Sequence, residues 1–206
     1  MNNKALELAK QLVEELEKQE TVENDSNKIE LSTLESGDVF KIGEHDFIVL
    51  EQMQSQTKVI SKRFMAKIVV FGEDSANYNE SNLRDIIEDD IQPVIESAVG
   101  VDNIVEHEVD LISVDMQETY PKCKCKVRPI TFDEARQYND LIANDSLDDW
   151  WWTCTPWSTK ERGWGRSVAV VHPGGIVCNC YYCGRNNGVR PVCILKSNIF
   201  VSKGEK

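Results

Sequence analysis

From Trp150 to Val201 the chain sets short aliphatic runs against polar turns, and this rhythm constrains the fold more than any other feature. The runs Ser167–Val171 and Val189–Leu195 flank a crowded polar stretch, Ile176–Gly188, that reads IVCNCYYCGRNNG. Apolar runs this short, bounded by Gly, Pro and Asn, read as strands and not as helices. Strands are expected near 166–172, 176–183 and 189–195, the first two joined by Pro173-Gly174-Gly175. The same stretch holds all five tryptophans and five of the seven cysteines. Together these features imply a rigid β-scaffold that presents an irregular, chemically varied surface.

Upstream, strands Val39–Ile42 and Phe47–Leu50 are expected around the turn Gly43–Asp46, a hairpin signature. Thr57–Lys62 and Lys67–Phe71 continue the β pattern, and Ile104–Val114 reads as a further strand. Ser81 is placed to cap a helix carrying Leu83, Ile86, Ile87 and Ile91, with Pro93 as a kink or a second start. Thr131-Phe132-Asp133-Glu134 has the form of a capping box, opening a helix to about Ala143. At the N-terminus, Leu6, Ala9, Val13 and Leu16 mark an amphipathic helix over residues 1–20. Polar residues 21–30 follow as a linker. Residues 1–24 are thus assigned to an N-terminal helix and linker, and 31–202 to the domain proper. The helix is expected to dock on that domain or to drive a homo-oligomer.

A chain of 206 residues can bury a proper core without staples. Its net charge of −12 disfavours phosphate-based nucleic-acid binding, which needs a basic stripe. The acidic residues lie mostly before Trp150. The N-terminal stretch lacks the apolar core of a signal peptide, and no apolar run approaches the roughly 20 residues that span a bilayer. A cytoplasmic protein is expected, or a virion-associated one if a phage encodes it. Disulfides are not expected there, and seven cysteines cannot all pair within one chain.

Four segments carry a family resemblance: Gly37–Gly43 followed by Phe47–Leu50; Asn77–Arg84 at a helix start; Trp151-Trp152-x-x-Thr155-Pro156; and Gly188-Val189-Arg190-Pro191. The pattern resembles a bacterial and prophage domain family of unknown function. Its C-terminal half is similar to the C-type-lectin-like fold of formylglycine-generating enzymes and of retroelement variable proteins. The resemblance implies an α+β fold: a C-type-lectin-like mixed domain with a twisted antiparallel sheet and two flanking helices. It also implies that Ile176–Asn187 is surface-exposed and carries binding. The cysteine pair of formylglycine-generating enzymes has no counterpart here, and no carboxylate–Pro calcium motif lies near the tryptophans.

Cys178, Cys180 and Cys183 form the sharpest local chemical signal, with CxC and CxxC spacing. With Cys123, Cys125 or His172 they have the makings of a zinc site. The plainer reading is packed thiols, because Cys178 and Cys180 share one face of a strand. Trp150–Trp152 read as core, with Trp151 and Trp152 on opposite sides of a strand. Trp157 and Trp164 fall on a loop, where a flat ring stacks on a ligand. Arg190, before Pro191, reads as a buried tie between loop carbonyls. Asn179, Tyr181, Arg185, Asn186 and Asn187 mix aromatic and polar groups as antibody loops do, or else simply form a polar hairpin turn.

The function expected is a non-enzymatic ligand- or protein-binding module. Its face would combine Trp157, Trp164, Asn179, Tyr181, Arg185, Asn186 and Asn187, with no cofactor, no metal and no membrane. The ligand would be a protein or a carbohydrate. The alternative is a metal- or thiol-dependent enzyme built on Cys178, Cys180 and Cys183.

Overall fold

The computed structural model describes residues 28–180 and 183–204. The N-terminal helix expected over residues 1–20 lies outside them, as does Tyr181. Strand β1 (Lys28–Glu30) opens the described chain, followed by β2 (Val39–Ile42), β3 (His45–Gln52), β4 (Gln56–Ser61) and β5 (Ala66–Val70). Next come helix α1 (Asn82–Ile86), a π-helical turn (Ile87–Ile91) and α2 (Gln92–Val99). Then come β6 (His107–Val109), β7 (Cys123–Cys125), β8 (Val127–Pro129), α3 (Phe132–Gln137) and α4 (Asn139–Ile142). The C-terminal strands are β9 (Trp151–Pro156), β10 (Val168–Val171), β11 (Val177–Cys180), β12 (Asn186–Val189), β13 (Pro191–Lys196) and β14 (Phe200–Lys203).

These elements form an α+β domain. A seven-stranded sheet runs in the order β1-β14-β2-β3-β4-β13-β8, with every neighbouring pair antiparallel. A five-stranded sheet runs β11-β10-β9-β12-β5, and β6 pairs with β7 alone. Within the five-stranded sheet only β12 and β9 run parallel.

Both faces of the large sheet are covered, which explains the continuous apolar run in β3. Phe47 and Val49 face one core cluster, Ile48 and Leu50 the other. Adjacent strand residues point to opposite faces, so a run without polar gaps is the mark of a strand buried twice. The first cluster takes Leu83, Ile87, Ile91 and Ile95 from the α1–α2 helix. Four-residue spacing drifts by about 40° per step on a regular α-helix. The π-helical turn Ile87–Ile91 absorbs that drift and keeps the row facing inward. Pro93 sits in the first turn of α2, where its missing N–H is tolerated. The second cluster takes Ala135, Tyr138 and Ile142 from α3 and α4.

Several expectations shift. His45 and Asp46 belong to β3, leaving a two-residue turn, Gly43-Glu44, with Gly43 at φ 57. Lys28–Glu30 are not linker but an edge strand paired with Phe200–Ser202. The strand expected over Ile104–Val114 shrinks to His107–Val109. Ile104, Val109 and Leu111 are buried; Val109 pairs with Cys123 in the β6–β7 ladder, and Ile104 forms an isolated bridge with Leu195. The helix expected from Thr131 to about Ala143 breaks at Tyr138. The run Val189–Leu195 is two strands in two sheets: β12 ends at Val189, β13 begins at Pro191, and Arg190 stands at the crossing.

Trp151 and Trp152 are both fully buried and enter different clusters. Trp152 meets Phe71 edge-on at 5.4 Å and donates from Nε1 to the Val69 carbonyl at 2.7 Å. Trp151 lies under the Arg190 guanidinium, 4.7 Å from ring centroid to Cζ.

Candidate functional site

Strand β9 ends at Pro156, and a loop of successive turns carries the chain to Ser167 at the foot of β10. Trp157 N–H donates to the Ser167 carbonyl at 2.8 Å and closes the loop's base. Inside it, Arg162 and Trp164 N–H groups both donate to the Thr159 carbonyl. Two glycines make this winding possible. Gly163 adopts φ +81, and a Cβ at Gly165 would stand 2.8 Å from the Lys160 backbone.

The loop presents its two tryptophans differently. Trp157 is half-buried and packs edge-on against Phe132 at 6.3 Å, whereas Trp164 is 41% exposed. Together with Val114, Asp115, Ser158 and Arg162 they line an open cavity of about 360 Å³. On its other side Trp164 also borders a cavity of about 550 Å³ with Asp74, Lys160 and Arg166. The Asp115 carboxylate accepts from Ser113 Oγ at 2.6 Å, Ser158 Oγ at 2.8 Å and Arg162 Nη1 at 3.1 Å. The Ser113 hydrogen bond, with Ser158 and Arg162, holds its pKa below the ordinary value.

Of the other residues expected on this face, the described ones, Asn179, Arg185, Asn186 and Asn187, do not gather there. Asn179 pairs with Ala169 on the edge strand β11, and β10 and β9 separate it from Asn186 and Asn187 on β12. Arg185 and Asn186 are exposed. Asn187 is buried, and its Nδ2 has no hydrogen-bond partner among the described residues. Gly188 lies beside Trp151 at the start of β9, whereas Trp157 follows the end of that strand.

The cysteines are mostly interior. Cys123, Cys125, Cys154, Cys183 and Cys193 are buried, and Cys178 is half-buried. Burial pushes the Cys154 and Cys193 thiols up to about 12. The neighbouring Cys125 thiol brings Cys123 down to about 7. The Cys183 thiol donates to the Glu73 carbonyl at 3.4 Å. Among the described residues no group of three His, Cys, Asp or Glu side chains is placed to hold a metal ion. The His172 ring meets Trp150 edge-on at 4.9 Å, and its Nδ1 accepts from Gly174 N–H.

A third cavity, of about 480 Å³, lies away from every residue that the sequence pointed to as a binding face. It is lined by a buried ionic network. Arg128 grips Glu134 through both terminal nitrogens, at 2.7 and 2.8 Å, and donates from Nε to His107 Nε2 at 3.1 Å. Lys58 reaches Glu134 at 3.0 Å and Glu51 at 3.7 Å, and Tyr138 donates to Glu51 at 2.5 Å. Burial alone would raise the Glu134 pKa, but Arg128 and Lys58 hold it well below the carboxylate range. The capping box singled out Glu134 as a helix cap. Its Oε2 does accept from Thr131 N–H at 3.0 Å, yet both carboxylate oxygens also hold Arg128.

No protein-family model matches the chain, and neither a curated protein nor a solved structure matches it. Among the described residues no helix is long and apolar enough to cross a membrane.

Proposed function

We propose that this protein is a non-enzymatic binding module whose ligand seat is the loop between β9 and β10. One observation carries the reading: Trp157 and Trp164 line a single open cavity, with Arg162, Ser158 and Asp115 as its polar groups. Recognition sites of this kind combine an apolar aromatic wall with a few placed polar groups. The scaffold below is rigid, because β9 and β10 are buried along their whole length. Trp157 is braced by Phe132, and Trp164 is 41% exposed, so its ring is accessible to a ligand. Arg185 and Asn186 would then belong to a separate polar surface, and Asn179 to the edge strand β11.

The finer fold reading, a C-type-lectin-like domain of phage or prophage origin, is part of the same proposal. In that fold the segment before the final Arg-Pro strand carries binding, which here is Ile176–Asn187 and not the β9–β10 loop. A cytoplasmic or virion-associated location, and a homo-oligomer formed through residues 1–20, belong to it as well.

The test is a screen of oligosaccharide and random-peptide arrays with the wild-type chain and with Trp164→Ala. An exposed ring can be removed with little effect on folding, so circular dichroism should be unchanged. Ligands held by the seat should be lost from the variant. Ligands that bind both proteins equally would overturn the assignment of the seat.

A further inference from the structure

Strand β7 is Cys123-Lys124-Cys125, and its burial alternates. Both cysteines enter the first core cluster, while the Lys124 ammonium pairs with Glu106 at the surface. Residues two apart on a strand share a face. The two thiols therefore stand side by side beneath the surface, and they share a hydrogen bond.

Their surroundings leave the pair without a third ligand. Across the ladder Cys125 faces His107, and Cys123 faces Val109. Both ring nitrogens of His107 are engaged: Nε2 accepts from Arg128, and Nδ1 meets the Val105 carbonyl. The Cys154 thiol, in the same cluster, donates to the Ile130 carbonyl at 3.7 Å. The Tyr78 hydroxyl is buried within electrostatic reach of all three cysteines and has no hydrogen-bond partner among the described residues. A buried O–H without an acceptor is costly. A sulfur with a lasting negative charge would supply one.

Two chemistries suit paired thiols, and the strand separates them. A disulfide needs Cβ atoms about 3.5–4.5 Å apart. Alternate residues of a strand stand roughly 6.6 Å apart, two rises of about 3.3 Å each. Closing the disulfide would buckle β7 out of its ladder with β6. A metal bridge is longer, because at about 2.3 Å per thiolate bond a linear sulfur–metal–sulfur unit spans about 4.6 Å. Zinc calls for four ligands, and among the described residues no group of three is placed to supply them. A soft monovalent ion content with two thiolates fits the pair, and thiolate ligands select copper(I).

We propose that Cys123 and Cys125 form a two-coordinate site for copper(I). On binding, two S–H bonds break, two Cu–S bonds form, two protons leave to solvent, and no electron is transferred. The bridged pair then carries a single negative charge, and the Tyr78 hydroxyl donates to it. An outer hydrogen bond of this kind orients a metal ligand. The second CxC pair, Cys178 and Cys180 on β11, is built differently, since Cys178 is half-buried and its thiol meets Asn179 Oδ1 at 3.6 Å. The site is independent of the β9–β10 seat.

The experiment titrates the full chain, reduced and oxygen-free, with copper(I) held by a coloured competing chelator. The wild-type chain should take copper from the chelator. Cys123→Ala and Cys125→Ala should each lose a single equivalent per chain with unchanged circular dichroism, whereas Cys178→Ala and Cys154→Ala should keep it. X-ray absorption of the copper-loaded wild-type chain should show two sulfur neighbours, a readout that needs no variant to fold. No transfer to the wild-type chain would overturn the site. Copper lost with Cys178→Ala and kept with Cys123→Ala would move it to β11 and overturn the assignment. Three or more sulfur neighbours, or a loss with Cys154→Ala, would overturn two-coordination.

Discussion

The tripeptide Val-Arg-Pro occurs twice, at Val127–Pro129 and at Val189–Pro191, and the fold brings their prolines together. Pro129 pairs with Pro191 where β8 meets β13. Both arginines are buried, but their environments differ. Arg128 has a carboxylate, Glu134, gripped by two hydrogen bonds, and a neutral acceptor in His107. Among the described residues Arg190 has no carboxylate partner. It donates to the carbonyls of Ser61 at 2.9 Å and Ile142 at 2.6 Å and lies on the Trp151 ring. The partners of Arg128 more than offset its burial and raise its pKa, whereas burial brings Arg190 down to about 9. At neutral pH Arg190 is still charged, held by dipoles and a π-face instead of an anion. One arginine balances a charge beside a cavity; the other ties three strand and helix ends together where the chain changes sheets.

This contrast predicts a hierarchy of effects. Glu134→Ala should do the most damage, because it leaves Arg128 buried without its anion. A loss of about 3–5 kcal/mol is expected in urea unfolding, and a loss under 1 kcal/mol would mean that water already reaches the pair. Arg190→Met should be milder, at about 1–3 kcal/mol. It orphans two carbonyls but removes a buried cation that has no counter-ion. If Arg190→Met proved worse than Glu134→Ala, the crossover tie would outweigh the ion pair. Thr131→Ala removes the cap that places Glu134 and should lose about 1 kcal/mol, read as a lower unfolding midpoint.

The smallest effect is the pH response of His107. Burial, then the charge of Arg128, lowers its pKa. Lys58 also lowers it, while Glu134 and the Val105 carbonyl oppose them. Because the folded pKa lies below the unfolded one, the unfolded chain takes up the proton first. The associated stability is present above the unfolded value, about 6.5, and is lost as pH falls through the folded value. Denaturation midpoints measured between pH 7 and 5 should fall, and His107→Gln should flatten that slope. Glu134 contributes an acid-side loss too, but only once pH falls below the usual carboxylate range, so the two windows separate.

Local patterns were legible where neighbours in sequence are the partners. The capping box at Thr131 and Glu134 forms as its spacing predicts. Ser81 accepts from Arg84 N–H at the helix start. The alternation of Trp151 and Trp152 between two cores needs only the twofold period of a strand. Arg190 as a tie between carbonyls was readable because an arginine inside an apolar run must find acceptors. The Arg128 network was not readable, since Lys58, His107 and Glu134 come from three separate segments. Of the expected binding face, Trp157 and Trp164 share a loop and a cavity.

Pattern alone determined the burial of the paired tryptophans and the helix starts, because each depends on contacts within a few residues. The tertiary structure decided that Val189–Leu195 divides between two sheets and that two strands stand between Asn179 and Asn187. It also decided which buried arginine meets a carboxylate. Each of these is set by strand order and register, which bring together residues far apart in the chain and leave no periodic mark along it.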